Sequence, residues 1–407
     1  MKAIVLCAGE GTRMRPLTEN RPKVMVPAAG RPILDYVLEA VRAAGIRDVL
    51  LVVAPGQDVI AEHARASFPD VEFSVVVQKK RLGTANAVSL VEDLVDPPFA
   101  VLNGDIVFEG NPLREALKRH SETGRSVVVG ARVEDVSRYG ELELEGTRLK
   151  AVLEKSGERR PGLANAGIYV FGEEVFEALR ETPLSQRKEY EITDTLNIMA
   201  PRWGVEVVVH GGFWTDVGYP WDLLRANEAL LRGLEGEVRG RVWEGATLVG
   251  PVFVGEGTEI LPGTFIQGPV RIGRNCRIGP NAYIRPYTSI GDNCHIGAAV
   301  EIKNSIIMSR TNVPHHNYVG DSIIGENCNL GAGTKIANLR LDGREIEVNF
   351  GGEIIRTGMR KLGAIMGDGV KTGINVSINV GTIIGGGTFI PPGAVVTGYV
   401  PPRSRLL

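Results

Sequence analysis

From Val242 to Ile302 an aliphatic residue returns at every sixth position: Val242, Leu248, Val254, Ile260, Ile266, Ile272, Ile278, Ile284, Ile290, Ile296 and Ile302. Four residues after each stands Ala246, Val252, Thr258, Thr264, Val270, Cys276, Ala282, Thr288, Cys294, Val300 or Ile306, nearly all small or β-branched. One aliphatic and one small inward position per six residues is the pattern of a hexapeptide left-handed parallel β-helix. Three hexads make a triangular coil, and each coil buries its inward row against the next. Cys276 and Cys294 fall in equivalent inward slots one coil apart, so they read as structural thiols. The rhythm breaks after Met308 at VPHHNYVGD and resumes at Ile324, Leu330 and Ile336. A polar loop, Leu341 to Lys361, interrupts it again before it returns at Ile378, Ile384, Ile390 and Val396. Such prisms commonly assemble as three parallel copies, and a closed ring satisfies the symmetry preference of homo-oligomers, so a homotrimer is expected.

The preceding half has a different grammar. Strand-like runs KAIVLC, DVLLVVA, VEFSVVV, FAVLNG and SVVVGARV alternate with helical patterns PILDYVLEAVRAAG, Gln57 to Ala66, GTANAVSLVEDL and NPLREALKRH. Alternation of this kind predicts right-handed crossovers and a Rossmann-like, mainly parallel, doubly wound α/β sheet. Ligands of such sheets bind at the carboxyl ends of strands, which puts the loop after Cys7, Gln78 and Asp105 on one rim. The apolar-periodic stretch Tyr219 to Gly236 reads as a helix. The expected organisation is therefore a sheet domain over 1–218, a connecting helix over 219–236 and a β-helix domain over 237–407.

Composition removes other classes. A formal net charge of -2 leaves no general basic face for nucleic acid or a membrane surface. No run reaches the ~18 apolar residues that span a bilayer, and the N-terminus has no signal-peptide pattern, so a cytoplasmic protein is expected. Four cysteines, Cys7, Cys276, Cys294 and Cys328, show no zinc spacing.

The chemistry-bearing stretch opens the chain. KAIVLC runs straight into AGEGTRMRPLTENRPK, where Gly9 and Gly11 permit positive φ and close approach of backbone amides to an anion. Arg13, Arg15, Arg21 and Lys23 add four cations, a set suited to a polyphosphate. The stretch is not a Walker A loop and lacks the third glycine of the dinucleotide fingerprint. Gln78, followed by LGTANA, carries a donor and an acceptor able to read a pyrimidine edge, with Gly83 and Thr84 at a helix start. Asp105 ends LNGD with a carboxylate suited to a hard cation such as Mg2+, which takes one or two carboxylates plus substrate phosphates. The second acid would be Asp216 in FWTDVGYP.

GEGTRMRPLT followed by RPKVMVP resembles the signature of the sugar-1-phosphate nucleotidylyltransferases. The resemblance implies nucleotide contacts from Ala8, Gly9, Gly11, Thr12, Gln78, Gly83 and Thr84, with Arg13 and Lys23 as catalytic cations. It also implies a metal pair, Asp105 and Asp216. The acid at the second position leans toward the thymidylyltransferase-like branch, since some uridylyltransferases carry Asn there. Sugar-phosphate contacts implied in the same way are Gly140, Glu154, Lys155 and Asn165, with Ser156 departing from the proline of many relatives.

The string VEIKNSIIMSRTNVPHHNYVGDSIIGENCNLGAGTKIAN is similar to the acetyltransferase half of the bifunctional N-acetylglucosamine-1-phosphate uridylyltransferases. That resemblance implies His315 as the base and Arg285, Lys303, Tyr318, Asn329 and Asn338 as substrate contacts. An imidazole, with an ordinary pKa near 6.5, can take a proton from an attacking amine at neutral pH. From Leu341 to Lys361 the chain looks more like the archaeal form, and Arg356, Arg360, Lys361 and Lys371 are candidates for the phosphates of acetyl-CoA. The implied enzyme is bifunctional. It uses acetyl-CoA to acetylate glucosamine-1-phosphate or galactosamine-1-phosphate, and UTP or dTTP with Mg2+ to load a sugar-1-phosphate, ending in UDP-GlcNAc. Two rivals stand beside it. One is a monofunctional nucleotidylyltransferase of the glucose-1-phosphate thymidylyltransferase or mannose-1-phosphate guanylyltransferase type, with a structural or regulatory β-helix. The other is a silent regulatory subunit.

Overall fold

Lys2–Leu6 is the third strand of a nine-stranded sheet in the computed structural model, which describes residues 1–153, 157, 159–350 and 352–406. It runs parallel to Asp48–Val53 on one side and to Phe99–Asn103 on the other, and Glu72–Val77 continues the parallel set outward. Alternate residues of this strand feed two cores. Ala3 and Val5 pack with Leu34 and Val37 of helix Ile33–Ala43, Ile60 of helix Asp58–Ser67, and Leu113 of helix Pro112–Thr123. Ile4 packs with Val88 of helix Thr84–Ser89, Val175 of helix Glu174–Glu181 and Leu196 of helix Ile192–Trp203. The period of two thus serves a sheet covered on both faces. Phe99, fully buried, stacks on Phe176 at 5.5 Å between centroids; burying such a ring contributes about 1.5–3 kcal/mol.

NPLREALKRH forms its helix for local reasons. Asn111 accepts a hydrogen bond from Arg114 N at 3.2 Å, Pro112 occupies the first turn, and Gly124 closes the far end at φ 69°.

The sheet departs from simple alternation after Phe99–Asn103. Its next neighbour is not Val127–Val133 but Gly162–Phe171, which runs antiparallel to both. Between them in sequence lie the hairpin strands Glu141–Glu145 and Arg148–Leu153, so the chain returns from the opposite direction. The consequence is useful. The beginning of Gly162–Phe171, with Asn165, reaches the same sheet edge as the carboxyl ends of the parallel strands.

The chain divides into two compact units: Met1–Glu10, Pro22–Met25 and Ile33–Asp216 in the first, Gly11–Arg21, Val26–Pro32 and Val217–Leu407 in the second. The second is a left-handed parallel β-helix of three parallel sheets with nine, eight and eight strands. Ile260, Ile278, Ile296 and Val313 stack in register, all fully buried. The small inward slot forms its own column. Cys276 N donates to Thr258 Oγ1 at 2.9 Å, and Cys328 N to Thr311 Oγ1 at 3.1 Å. Corners are turned by residues with positive φ at Asn275, Asn281, Tyr287, Asn293 and Ala299, a step of six. Steps of five then place Asn304 and Asp321 at corners. Those short hexads shrink the coil, so Ser289 pairs with Ile306 and Ile306 with Ile323. Ile323 in turn pairs with Ile365, because residues 339–350 and 352–362 leave the coil and carry the hairpin Glu347–Phe350 and Glu353–Arg356.

Helix Pro220–Arg232 belongs to this unit. Its buried Asn227 accepts from Ala29 N at 2.8 Å and from Ser289 Oγ at 2.7 Å, and donates to Tyr287 O at 2.8 Å. No helix among the described residues is long and apolar enough to cross a membrane.

Candidate functional site

LNGD ends a buried parallel strand, so Asp105 emerges at the carboxyl edge of the sheet, with Gly104 N bonded to Leu6 O at 2.9 Å. A Cβ on Gly104 would lie 2.9 Å from Cys7 Sγ, which fixes how closely the first loop passes. The short strand Ile106–Phe108 then pairs antiparallel with Trp214–Asp216, and Asp216 stands opposite Ile106, the residue next to Asp105. The turn that holds Asp105 and the strand that ends at Asp216, 111 positions apart in sequence, are thereby brought together. Lys23, only 9% exposed, forms an ion pair with Asp105. Burial, reinforced by the Asp105 charge, pushes the Cys7 thiol far up.

The NAG turn closes on the same place. Trp214 Nε1 donates to Ala166 O at 3.0 Å, and Tyr139 meets the Trp214 ring edge-on at 5.2 Å. Gly167 has φ 72°, and a Cβ there would lie 2.4 Å from Asn103 Nδ2, so only glycine lets these motifs approach. Asn165 Oδ1 accepts from Gly167 N at 3.2 Å, and Asn165 N donates to Gly140 O at 2.8 Å. The predicted Glu154 and Lys155 lie outside the described residues.

Gln78 is buried, and its Nε2 donates to Gly83 O at 3.1 Å and Asn86 Oδ1 at 3.0 Å. The LGTA segment is stapled to residues 190–192. Tyr190 N donates to Leu82 O at 2.7 Å, Ala85 N to Tyr190 O at 2.9 Å, and Ile192 N to Thr84 Oγ1 at 3.1 Å. A Cβ on Gly83, at φ 96°, would lie 2.4 Å from Tyr190 O. Position 83 therefore excludes other residues.

In the glycine loop Ala8 is buried, Gly9 exposed, and Gly11 takes φ 70° to start a short turn over Thr12–Met14. Thr18 Oγ1 ties the turn by donating to Gly11 O at 2.7 Å. Thr12 and Arg13 are exposed, with the Arg13 guanidinium over the Tyr219 ring at 5.3 Å. One of the four expected phosphate cations is corrected. Arg21 is an ion-pair partner of Asp368 at 2.7 Å and of Glu326 at 3.4 Å, so its charge is neutralised within the β-helix unit.

The second set of predicted residues gathers at the irregular coils. Lys303 Nζ reaches Asp321 at 3.1 Å, Asn338 Nδ2 reaches Asp321 at 2.5 Å and donates to Tyr318 Oη at 3.2 Å. Arg285 pairs with Glu301 at 2.9 Å; that bond raises its pKa, with the Tyr283 and Tyr318 hydroxyls contributing. His315 is exposed at the end of strand Asn312–His315, three residues before Tyr318 across the His316 corner. Asn329, also exposed, stands in register with Asn312 and Lys371. Of the acetyl-CoA candidates, Arg356 pairs with Glu347 at 3.3 Å, and Lys371 lies over Phe389. Arg360 and Lys361 are exposed.

Two residues escaped the sequence reading. Asp321 joins Lys303 and Asn338, and its only sequence signal was the five-residue step to a corner. His295 faces outward beside Arg277 and Asn312, and its imidazole pKa is lowered by burial, by Arg277 and by His315.

The nucleotidyl transferase family model matches residues 2–233, and the GMPPB C-terminal domain model matches residues 266–384. The bifunctional protein GlmU of Methanocaldococcus jannaschii is 40% identical over 391 residues, covering 96% of this chain and 93% of that protein. The bifunctional sugar-1-phosphate nucleotidylyltransferase/acetyltransferase of Sulfurisphaera tokodaii is 39% identical over 398 residues, 97% of each chain. Among solved structures, UDP-glucose pyrophosphorylase complexed with UDP-glucose matches with a TM-score of 0.51 at 26% identity, covering 57% of this chain and 98% of that one. With a nucleotidyl transferase half followed by a β-helix, and relatives that match more than nine-tenths of its length, the chain belongs to the bifunctional sugar-1-phosphate nucleotidylyltransferase/acetyltransferases, the GlmU proteins.

Proposed function

We propose that this enzyme acetylates an amino-sugar-1-phosphate from acetyl-CoA and transfers a nucleotidyl group from UTP or dTTP to a sugar-1-phosphate, in the order that yields UDP-GlcNAc. The observation that carries the nucleotidyl reaction is the antiparallel pairing that sets Asp216 opposite Ile106, beside Asp105. Two carboxylates on segments so paired fit a hard divalent cation. Among the described residues no group of three or more His, Cys, Asp or Glu side chains could hold a metal ion, so the pair would share the cation with substrate phosphates. Bound there, Mg2+ would supply charge neutralisation on the triphosphate. The chain's own contribution is placement. The amides around Gly9 and Gly11, with Thr12 and Ala8, receive the phosphates, Arg13 and Lys23 offset their charge, and Gln78, Gly83 and Thr84 frame the base. Gly140 and Asn165, with Glu154 and Lys155, hold the sugar phosphate, whose oxygen attacks the α-phosphorus as pyrophosphate leaves.

For acetyl transfer, His315 takes the proton as the sugar amine attacks the thioester carbonyl and the CoA thiolate departs. Arg285, Lys303, Tyr318, Asn329 and Asn338 hold the amino-sugar phosphate. The working form is read as a cytoplasmic homotrimer, in keeping with four buried unpaired thiols and a β-helix of parallel coils.

Asp105→Ala should lower nucleotidyl transfer by about 10²–10³-fold or more, the scale of one lost charge-stabilising group, while acetyl transfer continues. Equal loss of both in a folded protein would contradict separate sites. The match of residues 266–384 to the GMPPB C-terminal domain favours a second reading, a β-helix without acetyl transfer. Failure to release CoA from acetyl-CoA with either glucosamine-1-phosphate or galactosamine-1-phosphate would decide for it.

A further inference from the structure

Asp321 is a carboxylate almost wholly removed from water, with 3% of its side chain exposed. Its surroundings consist of donors from the two passes of one β-helix corner that flank its own. Lys303 Nζ lies 3.1 Å from Oδ2 and 3.4 Å from Oδ1, Asn304 Nδ2 donates to Oδ1 at 2.8 Å, and Asn338 Nδ2 donates to Oδ2 at 2.5 Å. The backbone is pinned as well, by Asp321 N to Lys303 O at 2.9 Å and Gly363 N to Asp321 O at 2.8 Å.

The two short hexads create this arrangement. A step of five puts Asn304 at its corner with φ 43°, and the second step of five puts Asp321 at the equivalent corner one coil later with φ 49°. The two side chains consequently stack one coil apart. Gly320 completes the geometry. A Cβ there would lie 2.6 Å from Asn338 Nδ2 and 2.7 Å from Tyr318 Oη, so Asn338 and Tyr318 converge over a residue that has no side chain.

A buried charge is tolerated when it is paired and its remaining lone pairs are met by donors. Asp321 meets both conditions, but it is too enclosed to touch a substrate. What it can do is hold others. A lysine has a long stem with many rotamers, and fixing its ammonium before a phosphate arrives removes that ordering cost from binding.

We propose that Asp321 is a positioning residue for acetyl transfer, setting Lys303 Nζ and Asn338 Nδ2 where the amino-sugar phosphate is received. The inference rests on the acetyltransferase reading above, and deepens it. Asp321 restrains the lysine stem and keeps its charge balanced when no phosphate is present.

Steady-state kinetics of full-length Asp321→Asn, which keeps the shape and removes the charge, tests this. The KM for glucosamine-1-phosphate should rise about 10- to 100-fold, the scale of a misplaced binding group. The KM for acetyl-CoA and the nucleotidyl transfer rate should stay at wild-type values. In a Lys303→Ala background the same substitution should add less than its full single-variant loss, because the two changes share the Lys303 contact and only the Asn338 contact is left to lose. An unchanged KM for the sugar phosphate, losses that multiply in the double variant, or an equal fall in nucleotidyl transfer would overturn the role. Should Asp321→Asn not fold, Asn304→Gly keeps the carboxylate, tolerates the positive φ and removes one donor. It should raise the same KM by about 3- to 10-fold, and no rise would overturn the proposal. Wild-type protein without acetyl transfer would instead refute the underlying function, an outcome read before any variant is made.

Discussion

His295 lies on a strand whose outward face also carries Arg277 and Asn312. Partial burial and the nearby Arg277 and His315 disfavour its charged form and hold its pKa below 6.5. In the unfolded chain it would protonate at the ordinary value, so the unfolded state binds more protons as pH falls below about 6.5. The contribution is therefore fully present above that pH and is lost as pH drops through the folded value. NMR titration of the His295 ring should give a midpoint below 6.5, and His295→Gln should reduce the fall in urea midpoint between pH 7 and pH 5. A ring that titrates at or above 6.5 would contradict the packing around it. Neutral at pH 7, His295 adds no positive charge beside His315. Such outward residues are poorly legible in sequence, because the hexad rhythm marks only what points inward. Arg21 illustrates the opposite failure: a cation in a phosphate-like motif whose real partner, Asp368, is 347 positions away.

At the scale of elements, legibility followed the range of the interaction. The alternation of strand and helix was readable because each element carries its own period and caps. The antiparallel entry of Gly162–Phe171 was not, since pairing partners far along the chain decide it. The motif residues Asp105 and Asp216 could be named from sequence, but only the pairing of Ile106–Phe108 with Trp214–Asp216 brings their segments together. The insertion after Asn338 was visible as lost rhythm, and its structure suggests how separable it is. Register partners Ile323 and Ile365 are 42 positions apart, whereas Ile365 and Ile383 are 18 apart. Deleting residues 339–362 would join Asn338 to Gly363 and restore a coil of ordinary length. Nucleotidyl transfer and cooperative unfolding should survive that deletion, although Ile346 and Val348 would no longer lie against Gly381. Loss of nucleotidyl transfer would show that the insertion is integral. An unchanged KM for acetyl-CoA would remove Arg356, Arg360 and Lys361 from the acetyl-CoA candidates.

For the molecule as a whole, two kinds of order share one chain. A sheet with a core on each face depends on contacts between distant segments, whereas a coil stack depends mainly on its immediate neighbours. Sequence position is a poor guide to membership. Gly11–Arg21 and Val26–Pro32 sit early in the chain but belong with the β-helix, while Pro22–Met25 between them belongs with the sheet. All four cysteines are buried, one in the sheet unit and three in the inward column of the coils. Burial pushes the Cys328 thiol up to about 12 and raises that of Cys7 still further, and a thiol reagent needs the thiolate. With all four thiols buried, native protein should leave a disulfide reagent colourless. During a urea ramp, mass spectrometry of the modified peptides should report Cys7 and Cys328 as separate clocks, one timing each unit's opening. Prompt modification of any of the four in the folded state would contradict their enclosure. The same sulfur atoms that fill space in the coils thereby provide built-in witnesses to the order in which the enzyme comes apart.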